Sequence, residues 1–185
     1  MKIKTRQFVQ HLSHVIEDEN RAAEYLDESL RLIGLVVRYF NTVEKSIDAF
    51  ICEIISDRTD VPGLIVIQKL MFNAKLDLFK RFAEDFHQTF ASEPTNFEEL
   101  VRELSEIARL RNLVVHADWN NTDEEGYTFV RLKGAQKGML QEYVQFSAES
   151  LEKLMERIVS ANHLLSDYWE WRSECVANYY SQPSQ

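Results

Sequence analysis

Three residues in the second half of the chain place a cation, an amide and an imidazole close together: Arg111, Asn112 and His116. An arginine guanidinium can bind a phosphate through paired hydrogen bonds, and a histidine can take up and release protons near neutral pH. Asn112 and His116 are four positions apart, so in a helix both project from the same face. The spacing predicts a site that binds phosphate and transfers protons.

The segment that carries these residues has the pattern of an amphipathic helix. Its apolar residues recur at helical spacing, namely Leu100, Leu104, Ile107, Ala108, Val114 and Val115. At about 100° per residue, Arg111 points along the middle of this apolar stripe. Because an unpaired buried charge is costly, a guanidinium on an apolar face requires a counter-ion or a ligand. Asn96 or Thr95 can cap this helix at its start.

Two preceding helices are also predicted to carry one charge each on their apolar faces. Glu44 lies among the apolar residues of one helix, and Lys75 lies among those of the next. We therefore expect Glu44 to form an ion pair with Arg111 or Lys75, with Asp48 as a less central substitute. Two alternatives stay open: Lys75 can extend past its neighbours to solvent, and Arg111 can form a purely structural ion pair.

The spacing of Arg111, Asn112 and His116, late in a helix of an acidic and mostly helical chain, resembles the HEPN family, the higher eukaryotes and prokaryotes nucleotide-binding domain. Two long amphipathic helices precede the motif, and a strand-like insertion and a long last helix follow it. Together these elements cover most of the chain. The resemblance implies a mainly α fold: an antiparallel bundle of about five helices, with a small β-hairpin inserted before the last helix.

The resemblance also implies a function. Proteins of this family include metal-independent endoribonucleases, often toxins or defence components, whose site is built across a homodimer cleft. By resemblance, Arg111, Asn112 and His116 would be the catalytic residues here. His116 would take the proton from the RNA 2′-hydroxyl, Arg111 would stabilise charge on the phosphorane, and Asn112 would orient the phosphate or the imidazole. A second His116 from the dimer mate would complete the acid–base pair, and cleavage would leave a 2′,3′-cyclic phosphate.

Other functions remain open at this point. One is a non-catalytic HEPN-like module that binds a nucleotide or a partner protein. The family resemblance also suggests a nucleotidyltransferase-type antitoxin as a partner. Another is a purely structural helical dimer in which Arg111 and Glu44 form an internal clamp. The histidines and cysteines lack strong metal-ligand spacing, although His11 and His14 are close enough to bind a metal weakly. With no cofactor-binding motif either, we expect no metal and no cofactor.

The composition predicts one soluble domain over residues 1–180 and a flexible tail over residues 181–185. The chain has 21 Lys and Arg against 30 Asp and Glu, a formal net charge of -9. Such a charge repels nucleic acid unless basic residues gather on one face. Cys52 and Cys175 are far apart in sequence, which favours a reducing cytoplasm over secretion. No apolar run is long enough to span a membrane, so no membrane association is expected.

The hydrophobic periodicity predicts the remaining elements. A first helix is predicted to begin at Thr5 and either to break near residues 27–29 or to continue. A second helix is predicted over residues 30–56, and a third over residues 64–90. The helical period then disappears after the fourth helix, where two short alternating runs predict a β-hairpin over residues 127–146 as the only sheet.

The last predicted helix is capped by Ser147 and extends to about Tyr179. Its aromatic residues are expected to serve at least partly in a helical interface, and they are Tyr168, Trp169, Trp171, Tyr179 and Tyr180. The acidic runs at residues 17–19 and 123–125 are expected to be solvated surface.

Overall fold

The computed structural model describes residues 1–9, 12, 16–136 and 138–181. Contacts divide the chain into two compact units, each made of two segments. Unit 1 comprises Met1–Arg38 and Arg109–Glu156, and unit 2 comprises Tyr39–Ala108 and Arg157–Gln185. Three long helices run through both units, so each unit contains parts of the same helices.

The described residues form five helices and four strands, and the predicted mainly α class is confirmed. The helices are α1 (Glu19–Ile55), α2 (Val61–Ile67), α3 (Phe72–Phe90), α4 (Phe97–His116) and α5 (Ala148–Ser181). The strands are β1 (Ile3–Gln7), β2 (Asp118–Thr122), β3 (Tyr127–Ala135) and β4 (Gly138–Gln145). None of these helices is long and apolar enough to cross a membrane.

The start of the chain is a strand, so the prediction of a first helix from Thr5 is wrong. Residues Ile3–Gln7 pair antiparallel with β4, and the first described helix begins only at Glu19. Asp18 caps it, because its Oδ1 accepts the backbone N–H groups of Asn20 and Arg21, both at 3.1 Å. Only Ile3 of the five β1 residues is apolar, so the strand carries no alternation of apolar and polar side chains that could have predicted it.

Helix α1 is continuous, so the possibility of a break near residues 27–29 is not realised. Ser29 is buried and its hydroxyl donates to the carbonyl oxygen of Tyr25 at 2.8 Å. That bond satisfies the serine inside the helix rather than competing with the backbone. The predicted second helix, residues 30–56, is therefore the continuation of the helix that begins at Glu19.

The predicted third helix, residues 64–90, is instead two helices, α2 and α3. Pro62 lies in the first turn of α2, where its missing N–H has no cost. Gly63 packs so closely on α1 that a Cβ there would lie 2.5 Å from the Cα of Cys52. The chain then leaves the helix after Ile67 and starts again at Phe72. The close approach of Gly63 to Cys52 places α2 tightly against α1, a contact that periodicity cannot reveal.

The sheet belongs to unit 1 and has the order β1-β4-β3-β2. The hairpin of β3 and β4 is present as predicted, with Ala135 opposite Gly138, but β1 and β2 extend it to four strands. Tyr143 in β4 is fully buried, and Phe146 just after β4 stacks on Trp119 with ring centroids 5.1 Å apart. The hairpin is therefore the centre of a small antiparallel sheet and contributes to the core of unit 1.

The acidic run at residues 123–125 is not simply solvated, because Asp123 is only 4% exposed. Its Oδ1 accepts the backbone N–H groups of Glu125 at 3.1 Å and Tyr127 at 2.8 Å. Asp123 thus organises the turn between β2 and β3, a role that aspartate commonly takes in turns. The other acidic run, residues 17–19, is exposed as expected.

Unit 2 is built around an aromatic core. Phe50 meets Phe79 edge to face at 4.8 Å between ring centroids, and the fully buried Tyr168 packs on both rings and on Phe97. Of the five aromatic residues in the last helix, Tyr168 thus belongs to the core, whereas Tyr179 and Tyr180 are 63% and 81% exposed.

The start of the last helix agrees with its prediction. The hydroxyl of Ser147 accepts the backbone N–H of Ser150 at 3.2 Å, so Ser147 is the N-cap of α5. The helix extends to Ser181. The rest of the predicted tail, residues 182–185, lies outside the described residues.

Candidate catalytic site

The three candidate residues lie in the last two turns of α4. Arg111 is half-buried and Asn112 is exposed. The Nη1 of Arg111 donates to the Oδ1 of Asn112 at 3.1 Å. The structure therefore brings the guanidinium and the amide together. The amide oxygen of Asn112 orients one edge of the guanidinium.

His116 is the last residue of α4, and its side chain is exposed. It lies one helical turn after Asn112, so both side chains project from the same face. In the described part of the chain, His116 forms no hydrogen bond with Arg111 or Asn112. The three residues thus share one helix end, with the imidazole open to solvent.

Trp119 holds the end of α4 in place, and the sequence analysis did not single it out. Its Nε1–H donates to the carbonyl oxygen of Val114 at 2.8 Å, which satisfies one of the carbonyls that a helix end leaves unpaired. Val114 itself is fully buried, and the Trp119 ring stacks on Phe146. A tryptophan three residues beyond the last helical position is the only sequence signal of this role. Trp119 is a positioning residue for the helix end that carries His116.

The charged residues on the other apolar faces form one cluster in unit 2. The Lys75 ammonium is within 2.8 Å of Glu44 Oε1 and 2.9 Å of Asp48 Oδ2. The expected ion pair between Glu44 and Lys75 is thus present, and Asp48 shares the lysine rather than replacing Glu44. Lys75 is buried, so it does not extend to solvent. Arg111 donates a hydrogen bond to Asn112.

Burial tends to lower the pKa of Lys75, but hydrogen bonds from its ammonium to Glu44 and Asp48 outweigh that effect and raise the pKa above its ordinary value. The lysine is therefore a fixed cation near neutral pH. Its contacts all lie within unit 2, so we assign it a structural role in holding α3 against α1.

No group of three or more His, Cys, Asp or Glu able to hold a metal ion occurs among the residues that the structure describes. His11 and His14, the weak metal candidates, lie outside those residues. Comparison of the chain with protein-family models, with curated proteins and with solved structures finds no match. The function must therefore be argued from the residues themselves.

Proposed function

We propose that the chain is a metal-independent endoribonuclease of the HEPN type, with Arg111, Asn112 and His116 as its catalytic residues. The observation that carries the proposal is the end of α4, where a guanidinium bonded to an amide lies beside an exposed imidazole one turn away. These groups match what phosphodiester cleavage needs: a cation for the phosphate and a proton carrier that solvent and substrate can reach.

The chemistry is an internal transfer on the RNA strand. His116 removes the proton from a 2′-hydroxyl, and the oxygen attacks the adjacent phosphorus. The bond from phosphorus to the 5′-oxygen breaks, and that oxygen takes a proton from a second histidine. Arg111 stabilises the negative charge of the phosphorane, and Asn112 orients the guanidinium. The products are a 2′,3′-cyclic phosphate and a 5′-hydroxyl.

This reaction needs two proton carriers, whereas each chain offers one histidine at the site. A homodimer that places two copies of His116 along one RNA strand supplies both. Exposed apolar side chains support association between protein chains, and they occur on and just after α2: Val61, Leu64, Ile65, Val66 and Met71. Tyr179 and Tyr180 add exposed aromatic surface on α5.

The same exposed apolar side chains favour a second candidate function, a non-catalytic module that binds a partner protein. In that case Arg111, Asn112 and His116 would bind a nucleotide or serve only in packing. An antitoxin of the nucleotidyltransferase type is the partner that the HEPN resemblance suggests. The two candidates differ in one measurable property, because only the first turns over RNA.

The test is incubation of the protein with structured and single-stranded RNAs in EDTA, followed by analysis of the product ends. The proposal predicts cleavage that leaves 2′,3′-cyclic phosphate and 5′-hydroxyl ends. Replacing the nucleotides by 2′-O-methyl nucleotides should block it, because the attacking hydroxyl is lost. Products with 5′-phosphate ends, or cleavage of the 2′-O-methyl RNA, would refute this mechanism. No cleavage of any RNA would favour the partner-binding module.

A further inference from the structure

Strand β1 is a basic segment in an acidic chain. Lys2, Lys4 and Arg6 fall within residues 1–16, which contain no Asp or Glu, although the whole chain carries a formal net charge of -9. A helix over these residues would spread the three cations around a cylinder. Lys4 and Arg6 instead lie in β1, and Lys2 directly precedes it, so in this extended segment, where alternate residues share one face, the three cations form a row.

The register places this row along an edge of the sheet. Lys4 lies opposite Tyr143 and Arg6 opposite Gln141, and the carbonyl oxygen of Lys2 accepts the backbone N–H of Gln145 at 2.9 Å. Among the described strands β1 pairs with β4 alone, and its residues are exposed throughout. Successive cations are about 6–7 Å apart along the strand. That spacing is comparable with the separation of neighbouring phosphates in an extended nucleic-acid strand.

Most of this positive charge is not neutralised. Lys4 Nζ lies 3.5 Å from Asp123 Oδ2, but in the described part of the chain neither Lys2 nor Arg6 forms an ion pair. On the hairpin, Arg131 and Lys133 both bond to Glu142, which lies opposite Thr5 and therefore on the other face of the sheet from the row. The unneutralised positive charge on this face is that of Lys2 and Arg6 in the row itself, within the described part of the chain.

We propose that the β1 row, Lys2, Lys4 and Arg6, binds the phosphate backbone of single-stranded RNA. A linear row of three cations fits a linear polyanion better than a lipid surface, which typically requires clusters of about 4–8 basic residues. β1 and the end of α4 belong to the same compact unit, so the unit that would cleave RNA also holds its backbone. The inference deepens the proposed function, on which it rests for the choice of RNA as the polyanion.

The test measures binding without cleavage. A fluorescent single-stranded RNA made of 2′-O-methyl nucleotides is titrated with the full chain, and anisotropy is followed between 50 and 200 mM salt. Each phosphate contact on a single strand contributes about 0.7 to the slope of log affinity against log salt. Three contacts thus predict a slope of about 2, which is a loss of roughly 20-fold over this fourfold range of salt.

The decisive variant combines Lys2→Gln, Lys4→Gln and Arg6→Gln. Its matched control combines Lys45→Gln, Arg81→Gln and Arg102→Gln, which removes three exposed cations from the helices of unit 2 and leaves the same net charge. The β1 variant should bind at least about tenfold more weakly at 50 mM salt and lose most of the salt slope. The control should stay within about twofold of the wild type. A variant with Lys2→Arg, Lys4→Arg and Arg6→Lys should retain binding.

Equal affinities for the β1 variant and its control would overturn the inference, since net charge rather than the row would then govern binding. Loss of binding in the charge-retaining variant would also overturn it, since three cations at these positions would then not suffice to bind the RNA. The inference would also be overturned if the protein bound vesicles of anionic lipid but had no affinity for the RNA. RNA binding through β1 in a protein that cleaves no RNA would uphold the inference while refuting the ribonuclease, so the two failures can be told apart.

Discussion

At the scale of single residues, the ion cluster of Lys75 shows how the helical part of the chain accommodates a buried charge. One ammonium bonds two carboxylates, Glu44 and Asp48, that are four residues apart on α1. Periodicity predicts the charge on the apolar face and its main partner. It does not predict that the lysine is shared, because the angle at which α3 meets α1 decides which carboxylates come within reach.

This sharing leads to a prediction about stability. Glu44→Ala alone should lower the free energy of unfolding by about 1–2 kcal/mol, since Asp48 still pairs with Lys75, whereas the double variant Glu44→Ala/Asp48→Ala should cost about 3–5 kcal/mol. Glu152, exposed on α5, provides the control, and Glu152→Ala should cost less than about 0.5 kcal/mol. Urea unfolding measures all three. Equal losses for the double variant and the control would place the cluster outside the structural core.

His87 gives a prediction about pH. Its Nε2 lies 3.2 Å from the Tyr168 hydroxyl and its ring packs edge to face on Phe97. Burial lowers its pKa below the ordinary value of 6.5, although Glu93 and Glu84 act in the opposite direction. The unfolded chain therefore binds a proton more readily than the folded one, and stability should fall as the pH drops below about 6.5.

The measurement is the free energy of unfolding of wild type and His87→Gln between pH 5 and 8. His87→Gln should lose part of the decline in stability at acidic pH, and His163→Gln, at an exposed position, should not. Identical pH profiles for wild type and His87→Gln would mean that this histidine titrates alike in the folded and unfolded chains.

At the scale of elements, the turn between β2 and β3 depends on Gly126. Its φ is +80°, and a Cβ at this position would overlap the ring of Tyr25. The Tyr25 hydroxyl also donates to the carbonyl oxygen of Phe146. A side chain here would therefore strain the backbone and displace a helix–sheet contact within unit 1.

Gly126→Ala should consequently lower the free energy of unfolding by about 2–5 kcal/mol. Gly134 in β3 is the matched control, because a Cβ there meets nothing within 4 Å. Gly134→Ala should be neutral or stabilise by up to about 1 kcal/mol, since alanine restricts the unfolded chain more than glycine does. A thermal or urea melt compares the two, and equal effects would contradict the geometry of this turn.

The elements also show where sequence reasoning succeeds. Long periodic segments with clear caps were predicted well: α4 begins directly after Asn96, and Ser147 caps α5. The hairpin followed from its period of two. β1 and β2 were missed because short strands depend on partners distant in sequence, which local patterns do not contain. The break between Ile67 and Phe72 was missed because hydrophobic periodicity alone does not mark where one helix ends and the next begins.

The candidate site was predictable to the same extent. The types and spacing of Arg111, Asn112 and His116 suffice to place them at one helix end. The supporting bond from Trp119 to Val114 was not predictable, because it depends on how the chain turns after the helix. Nor was the row of cations on β1, since its alignment exists only if the segment is a strand.

At the scale of the whole molecule, the proposed mechanism needs a homodimer, which supplies two copies of His116, and the cations of the β1 row, which attract RNA to an acidic protein. A formal charge of -9 disfavours general binding of nucleic acid. Cleavage should therefore be confined to strands that reach the β1 row, and its rate should fall as salt rises. Sedimentation equilibrium should find a homodimer for the wild type and for variants at the catalytic residues. A monomer at all concentrations would remove the second proton carrier.

The rates at which the wild type, His116→Ala and His163→Ala cleave RNA in EDTA decide whether His116 is catalytic. All three should share one fold and one oligomeric state. His116→Ala should lose about 10²–10⁴-fold in rate, because a general acid or base is removed, and Arg111→Ala should fall similarly. His163→Ala, which removes an exposed histidine from α5, should cleave at the wild-type rate. If His116→Ala cleaves RNA as fast as the wild type, His116 is not the general base and the proposed mechanism is wrong.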